Sequence, residues 1–185
     1  GRTHVVSLGD LLDRGPDSRK VLDLLMRLQG EAASAGGALH VVLGNHEAMN
    51  LLGDLRYVAT GEYAAFAGEE PAGVRERHRA DWVALNGPDS GAAFDQKFVP
   101  GYFGHRAAFS PDGRYGRWLL ALPVVIAVND TLYMHAGPSP VVGGMGLAEI
   151  NTRYRTALVE YLGALADIEQ AGLVRDSDAF SHRAE

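Results

Sequence analysis

The sequence predicts a mixed α/β fold, and three observations support this prediction. The segments "HVVSL" (4–8) and "LHVVL" (39–43) are short, apolar and rich in β-branched residues, which is typical of buried strands. Between them apolar residues recur at helical spacing, which predicts a helix. A strand–helix–strand unit is the parallel crossover of an α/β sheet. Two further apolar segments near residue 130 predict a β-hairpin. The length of 185 residues suits one domain, or one domain with an insertion.

The first helix is predicted to begin at residue 17 or 18. Asp17 or Ser18 can cap its N-terminus. Apolar residues then recur at helical spacing, with charged residues between them. The apolar positions are Val21, Leu22, Leu24, Leu25 and Leu28. The pair Gly36-Gly37 ends the helix before the second strand.

The middle of the chain has a different composition from its two ends. Residues 51–115 are rich in glycine, alanine and charge, and we interpret them as a helical insertion beside the site. Helical patches are expected near 60–67, 71–86 and 90–97. The apolar core is expected to resume at Trp118.

The predicted hairpin and a last helix complete the fold. "VVIAV" (124–128) and "TLYMH" (131–135) are joined by the two-residue turn Asn129-Asp130. A helix is expected over 148–166, after the glycine-rich loop 143–146. That loop lacks the pattern of a phosphate-binding or dinucleotide-binding motif.

The composition excludes several classes of function. The chain is 46% hydrophobic and 22% charged, which is typical of globular proteins. Its formal charge of −6 and the absence of a dense Lys/Arg cluster argue against a nucleic-acid partner. No apolar run approaches the roughly 18 residues of a membrane span, so no membrane partner is expected. No signal peptide is visible, which makes the cytoplasm the default location, although Gly1 is not Met and a leader could have preceded it.

The chemistry-bearing residues follow the predicted strands. Asp10 follows the first strand, Asn45 and His46 follow the second, and His135 ends the third. Because ligands gather outside the carboxyl ends of strands in an α/β sheet, we expect these side chains to converge. The chain has no cysteine, so any metal must bind oxygen and imidazole ligands, which suit Mn, Fe, Zn or Mg.

Three motifs give the sequence a family resemblance. "GDLLDRG" (9–15), "GNHE" (44–47) and "HAG" (135–137), in this order, resemble the phosphoprotein phosphatases of the calcineurin-like metallophosphoesterase superfamily. "GNHEAMNLLGDLRYV" (44–58) and "GYFGHRAAFSPDGRYGRWL" (101–119) resemble the Shewanella-like branch. The resemblance covers most of the chain. It implies a metallophosphoesterase-type β-sandwich flanked by helices, with two divalent metal ions (Mn, Fe or Zn) in the complete protein.

The resemblance implies metal ligands at three positions. Asp10 matches the carboxylate that bridges both ions. Asn45 and His135 match ligands of the second ion, and Asn45 is also expected to contact the substrate.

The resemblance also implies catalytic and substrate-binding residues. Arg14 matches an arginine that binds the phosphate, and its guanidinium fork fits a phosphate bidentately. His46 matches the imidazole that protonates the leaving oxygen, and Asp13 matches the carboxylate that orients it. Arg56 and Arg106 are expected at the rim of the substrate pocket.

Simpler interpretations stay open for some of these residues. Arg56 can form an ion pair with Asp54, and His105-Arg106 can be a packed or surface pair. Asn45 and His46 can cap the helix that follows them. For Glu47 a structural role in holding the loop is expected.

The chain departs from the family pattern at both ends. The first family motif, GDxHG, belongs upstream of residue 9, where only eight residues stand. The family's last histidine ligand lies downstream of "HAG", where "DAFSHRAE" offers only His182. We therefore expect residues 1–185 to be a partial catalytic domain, truncated at both ends. Such a fragment is expected to bind one ion or none and to have little activity by itself.

The sequence therefore predicts a metal-dependent phosphomonoester hydrolase. The resemblance implies in-line attack by a hydroxide that bridges the two ions, on a phosphorylated protein (Ser/Thr or Tyr) or a small phosphoester. A hydrolase of dinucleoside polyphosphates is one alternative, because a related family shares the first and third motifs but usually has Asp at the position of Glu47. A second alternative is an inactive relic that binds partners through the helical insertion.

Overall fold

A computed structural model describes residues 2–173 of the chain. Four strands and eight helices of the described part alternate as an α/β protein, with most helices between the second and third strands. In chain order they are β1 (His4–Ser7), α1 (Ser18–Ser34), β2 (Ala38–Val41), α2 (Asn45–Leu52), α3 (Thr60–Tyr63), α4 (Val74–Asn86), α5 (Gly91–Lys97), α6 (Tyr102–Phe109), α7 (Arg114–Ala121), β3 (Val125–Val128), β4 (Thr131–Met134) and α8 (Leu147–Gln170). Short 3-10 helices follow α3 and precede α5 and α8.

The strands form two separate two-stranded sheets within the described residues. β1 and β2 are parallel, with His4 opposite Ala38, and α1 is the crossover between them. β3 and β4 are antiparallel, with Val125 opposite Met134. The structure therefore confirms both the predicted crossover unit and the predicted hairpin, with strand ends that differ by one or two residues.

The expectation that β1 is buried is wrong. Val5 is 54% exposed and Leu8 is 43% exposed. Among the described strands β1 has one hydrogen-bonded neighbour, β2, so its outer edge is open to solvent. β2 is better covered, and Val41 at its end is buried in the core.

The N-terminus of α1 is capped by a residue that the sequence did not suggest. Asp17 occupies the N-cap position, but its side chain makes no capping hydrogen bond and instead pairs with Lys20. The carboxylate of Glu62 accepts hydrogen bonds from the backbone N–H groups of Ser18 (3.0 Å) and Arg19 (3.1 Å). The helical region after α2 is thereby attached to the start of α1.

The region between α2 and β3 is helical, as expected, and contains more helix than the sequence patches indicate. α3, α4 and α5 match the three predicted patches, whereas α6 and α7 were not predicted. α7 begins at Arg114, before the position where the core was expected to resume. The boundaries 51–115 of a separate insertion stay a prediction.

This helical region has its own small aromatic core and also contributes to the main one. Phe94, Phe98 and Phe103 form a separate buried cluster. The guanidinium carbon of Arg75 lies 5.3 Å from the centre of the Phe103 ring, and Arg75 also pairs with Glu70 at 2.6 Å. The main core collects apolar residues from β2 and from helices throughout the chain. Its buried members are Leu12, Leu22, Val41, Leu43, Leu51, Phe66, Phe109, Tyr115, Leu119, Leu122, Leu158 and Leu162.

α8 packs on the hairpin through one amide side chain. Asn151 Oδ1 accepts hydrogen bonds from the backbone N–H groups of Val124 (2.8 Å) and Val125 (3.1 Å), and its Nδ2 donates to the Val125 carbonyl (2.9 Å). The buried side chains of α8, among them Leu158 and Leu162, face the core. None of the helices in the described part of the chain, α8 included, combines the length and apolarity needed to cross a membrane.

Candidate functional site

One buried carboxylate holds the ends of β1 and β2 side by side. Glu47, in the first turn of α2, accepts hydrogen bonds from the backbone N–H groups of Asp10 (2.9 Å) and Leu11 (2.7 Å). Its Oε2 also accepts from the Gly44 N–H at 2.8 Å, which forms the capping interaction of α2. Glu47 is fully buried. It therefore has the structural role expected from the sequence, while the helix cap lies at Gly44 rather than at Asn45 or His46.

The two strand ends also approach each other closely. Gly9 has a φ of +88°, and a Cβ atom there would lie 2.6 Å from the backbone nitrogen of Gly44. Since real Cβ atoms do not approach a backbone atom so closely, only glycine allows this contact. The contact brings Asp10 and Asn45, the residues that follow the two glycines, to the same edge of the sheet.

Asp10, Asn45 and His135 lie together at this edge. His135 Nε2 is 2.9 Å from Asn45 Oδ1 and 3.3 Å from Asp10 Oδ1. The other ring nitrogen, Nδ1, lies 2.7 Å from the carbonyl oxygen of Leu8. The loop after β1, the start of α2 and the residue after β4 thus each supply one polar side chain to a single point.

The chemistry of this cluster fits a bound cation. A carbonyl oxygen only accepts hydrogen bonds, so the Nδ1 of His135 donates to Leu8, and the lone pair of a neutral ring then lies on Nε2. Nε2 lies close to side-chain oxygens of Asp10 and Asn45, so a cation placed among the three side chains would be bound by all of them. Metal-binding histidines usually donate their second N–H to a carbonyl or carboxylate in this way. Imidazole nitrogen with carboxylate and amide oxygens suits a divalent ion such as Mn²⁺ or Zn²⁺.

The cluster supplies part of a coordination shell. Among residues 2–173 no group of three or more His, Cys, Asp and Glu side chains lies close enough to hold a metal ion. The present cluster contains two such residues and one asparagine. His182, the other histidine considered from the sequence, lies outside the described residues. The ligand roles of Asp10, Asn45 and His135 stay predictions that this geometry supports.

His46 and Asp13 form a buried pair next to this cluster. The Nδ1 of His46 lies 2.5 Å from Asp13 Oδ2, and both side chains are almost inaccessible to solvent. Asn50 Nδ2 donates to the other oxygen of Asp13 at 3.0 Å. This contact fixes the orientation of the ring through Nδ1 and leaves Nε2 as its other nitrogen, while the role of His46 as a proton donor stays a prediction.

Arg14 lies at the exposed side of this pair. Its guanidinium carbon is 5.6 Å from the centre of the Tyr57 ring, and its backbone N–H donates to the Tyr57 carbonyl at 2.9 Å. The Tyr57 ring is also 5.2 Å from the ring of His46. Within the described residues the guanidinium of Arg14 makes no ion pair, which leaves its donors available for an anion.

The other two predicted substrate residues make contacts in other parts of the described structure. Arg56 forms the expected ion pair with Asp54, with bidentate hydrogen bonds of 2.8 and 2.7 Å that raise the pKa of Arg56. Arg106 donates to the Asn50 carbonyl at 3.2 Å, near the C-terminal end of α2, and lines a cavity of about 340 Å³ with residues of α8 such as Leu162. Substrate binding by Arg56 and Arg106 therefore stays a prediction.

Two titratable side chains are buried behind the site. Burial raises the pKa of Tyr63 well above its usual value, and Tyr102 and the charge of Asp13 raise it further, so Tyr63 is a neutral phenol. Burial, with a smaller effect of the Arg106 charge, lowers the pKa of His105 to about 3. His105 is thus the packed residue that one of the sequence interpretations expected.

Sequence reasoning missed two residues that contact the predicted catalytic groups. Asn50 lies four residues after His46 on α2, so helical spacing places both on one face, and this signal was available in the sequence. Tyr57 comes from the loop after α2. No spacing rule connects it with Arg14, and only the fold brings the two together.

Comparisons with known proteins agree with this geometry. A family model described as calcineurin-like phosphoesterase matches residues 1–179. The chain is 33% identical over 175 residues to Shewanella-like protein phosphatase 2 of Arabidopsis thaliana, covering 84% of this chain and 42% of that protein. It is 24% identical over 151 residues to Shewanella-like protein phosphatase 1 of Plasmodium berghei, covering 82% of this chain and 33% of that protein.

Solved structures show a similar fold. The cold-active protein-tyrosine phosphatase of a psychrophilic Shewanella species superposes with a TM-score of 0.57 at 31% identity, over 85% of this chain and 39% of that one. A second structure, titled as a cold-active protein tyrosine phosphatase, gives a TM-score of 0.59 at the same identity, over 85% of this chain and 38% of the other. The chain thus spans about two fifths of the length of these proteins and of the Arabidopsis relative.

Proposed function

The chain belongs to the calcineurin-like phosphoesterase family, and from this premise we propose that it hydrolyses phosphomonoesters with the help of divalent metal ions. A phosphorylated protein, on serine/threonine or on tyrosine, is the proposed substrate, since the similar proteins are named protein phosphatases. The observation on which this proposal depends is the convergence of Asp10, Asn45 and His135 beside the His46–Asp13 pair.

Asp10, Asn45 and His135 are the residues that would hold a divalent ion. Such ions supply positive charge to the phosphoryl oxygens and make a water nucleophile available near neutral pH. Asp10 and His135 are held in place from outside the cluster: Glu47 binds the backbone of Asp10, and the Leu8 carbonyl binds the ring of His135. Ligands fixed in this way are already positioned before the ion arrives.

His46 and Arg14 supply the remaining chemistry. The guanidinium of Arg14 binds the non-bridging phosphoryl oxygens and holds the phosphate in line for attack. His46, held by Asp13, gives the proton of Nε2 to the leaving oxygen as the phosphorus–oxygen bond breaks. No covalent phosphoenzyme is required, because the nucleophile is water.

The proposal is tested with Asp10→Asn and a matched control. Because little activity is expected from residues 1–185 by themselves, Mn²⁺ binding by calorimetry is the primary measurement, and hydrolysis of p-nitrophenyl phosphate and phosphopeptides with Mn²⁺ is assayed beside it. Asp10→Asn should bind Mn²⁺ more weakly and lose roughly a hundredfold or more in rate, whereas Asp81→Asn, on the exposed side of α4, should behave as the unmodified chain. Full rate and unchanged Mn²⁺ affinity in correctly folded Asp10→Asn would refute the metal site.

A further inference from the structure

The function proposed above leaves the preferred phosphomonoester open, and we infer that Tyr57 selects substrates whose leaving group is an aromatic ring, as in phosphotyrosine. This inference rests on the proposed phosphatase function, because it assigns a role to a residue of the same site. It goes further by naming the chemical class of the leaving group.

Tyr57 stands between the two groups that would act on a phosphate ester. Its ring centre is 5.2 Å from that of His46, with the planes tilted by 57°, and 5.6 Å from the guanidinium carbon of Arg14. The side chain nevertheless remains accessible, since Tyr57 is 44% exposed. Its backbone is fixed by the hydrogen bond from Arg14 to its carbonyl. The site therefore contains an aromatic surface that is held in place and open to solvent.

The position of His46 determines what that surface contacts. In the proposed reaction the bond between phosphorus and the ester oxygen breaks, a water oxygen forms the new bond to phosphorus, and the ester oxygen receives the proton of His46. The group attached to the ester oxygen must then lie beside His46. In phosphotyrosine that group is a phenyl ring bonded directly to the oxygen, within reach of Tyr57. In phosphoserine a methylene group takes the same place and offers no ring to pack.

Packing between two aromatic rings should give a measurable gain in binding affinity. Rings packed offset or edge-to-face gain affinity beyond the area they bury, by a factor of roughly two to ten. A residue that only positions Arg14 and His46 would instead affect all phosphate esters equally. Selectivity between aromatic and aliphatic ligands therefore separates a selecting role from a positioning role.

The test compares two ligands that cannot be hydrolysed. Binding of phenylphosphonate and of ethylphosphonate is measured by NMR titration with the chain, with Tyr57→Phe and with Tyr57→Leu. The chain should prefer phenylphosphonate by roughly three- to tenfold. Tyr57→Phe should keep this preference because it keeps the ring, and Tyr57→Leu should lose it. Tyr161→Leu, at an exposed tyrosine of α8, is the matched control and should keep the preference.

Several outcomes would overturn the inference. They are an unchanged preference in Tyr57→Leu, an equal weakening of both ligands in that variant, and the absence of phosphonate binding by the unmodified chain. A separate assay follows hydrolysis of phenyl phosphate and of a phosphoserine peptide with Mn²⁺. If neither ester is hydrolysed while the phosphonate preference depends on Tyr57, the proposed function fails and the aromatic selection stands.

Discussion

Three non-glycine residues of the loop after β1 adopt the left-handed backbone conformation. The φ angles are 54° for Asp10, 73° for Asp13 and 62° for Arg14. This conformation is unfavourable for residues with a Cβ atom, and it persists only where the surroundings impose it, as they often do at functional sites. Here the surroundings are the hydrogen bonds to Glu47 and Tyr57. This backbone conformation directs the side chains of Asp10, the candidate metal ligand, and of Asp13 and Arg14 toward the same region.

Replacing His46 by asparagine tests the proposed general acid. We expect His46→Asn to lower the rate of phosphomonoester hydrolysis by roughly 10² to 10⁴, with Mn²⁺ affinity unchanged because the predicted ligands are Asp10, Asn45 and His135. The control is His78→Asn, since His78 stacks on Phe103 in the aromatic cluster of the helical region. Loss of metal together with activity in His46→Asn would mean that His46 is a ligand rather than an acid.

His105 makes stability depend on pH. Its folded-state pKa of about 3 is far below the ordinary value of 6.5, because Tyr63, Phe66 and Phe109 surround the ring and exclude water. The unfolded chain therefore binds a proton below about pH 6.5 that the folded chain does not bind. The contribution of the neutral His105 to the free energy of unfolding is complete above about pH 6.5. It is lost between about pH 6.5 and 3, at about 1.4 kcal/mol per pH unit.

Urea unfolding at several pH values measures this dependence. The free energy of unfolding of His105→Leu should fall less steeply between pH 6.5 and 4 than that of the unmodified chain, because leucine takes up no proton. The difference in slope isolates His105 from the other groups that titrate in this range. Parallel curves for the two proteins would contradict the assignment, whatever the absolute stability of the variant.

At the scale of elements, the start of α1 shows how the helical region supports the site. The first backbone N–H groups of a helix need acceptors, and here the acceptor is the buried carboxylate of Glu62, which comes from α3. The capped residue Ser18 in turn accepts a hydrogen bond from the N–H of Asp13 at 3.3 Å. α3, α1 and the loop after β1 are thus connected by consecutive hydrogen bonds.

Two carboxylates at the start of α1 provide a matched pair of variants. Glu62→Gln should destabilise the protein by about 1–2 kcal/mol, because it weakens a buried cap and removes a negative charge at a helix N-terminus. Asp17→Asn should cost less than about 0.5 kcal/mol, since Asp17 makes no capping bond and its pair with Lys20 is exposed. Thermal or urea unfolding gives both values. Equal losses for the two variants would assign the capping role to the wrong residue.

At the scale of the whole molecule, the site depends on how the two sheets are connected. The Leu43 N–H, just after β2, donates to the Pro123 carbonyl, just before β3, at 2.9 Å. This bond places the hairpin beside the parallel pair. His135, at the end of the hairpin, then reaches the carbonyl of Leu8 and the side chain of Asn45. Residues separated by 90 and 127 positions in the chain meet only because both connections exist.

Glu47 is the residue whose loss should affect the whole site. Glu47→Gln puts an amide NH₂ group where only acceptors are needed, so we expect a loss of about 1–3 kcal/mol in stability. Phosphatase activity and Mn²⁺ affinity should fall together, because the backbone of Asp10 loses a charged acceptor. The exposed variant Glu31→Gln is the control and should change neither. A stable Glu47→Gln protein with normal Mn²⁺ affinity would show that the strand ends do not need this carboxylate.

Some secondary-structure elements and candidate site residues of this protein can be predicted from local sequence. The spacing of apolar residues between 21 and 28 predicts α1, and the strand residues around Asn129-Asp130 predict the hairpin, because side-chain periodicity and turn chemistry act over a few residues. The three motifs after the strand ends likewise indicate the family and the residues Asp10, Asn45 and His135. The prediction that β1 is buried was wrong, because the burial of a strand depends on how many neighbours it has and not on its own composition.

Tertiary structure alone decided the rest. It placed Glu62 at the start of α1 and the ring of Tyr57 between Arg14 and His46, and it brought Arg106 to a cavity that residues of α8 also line. Each of these contacts joins residues that are distant in sequence, and each depends on the packing of helices whose relative positions no local pattern specifies. Local sequence therefore determines which side chains can do chemistry, whereas the long-range contacts determine which of them meet and what surrounds them.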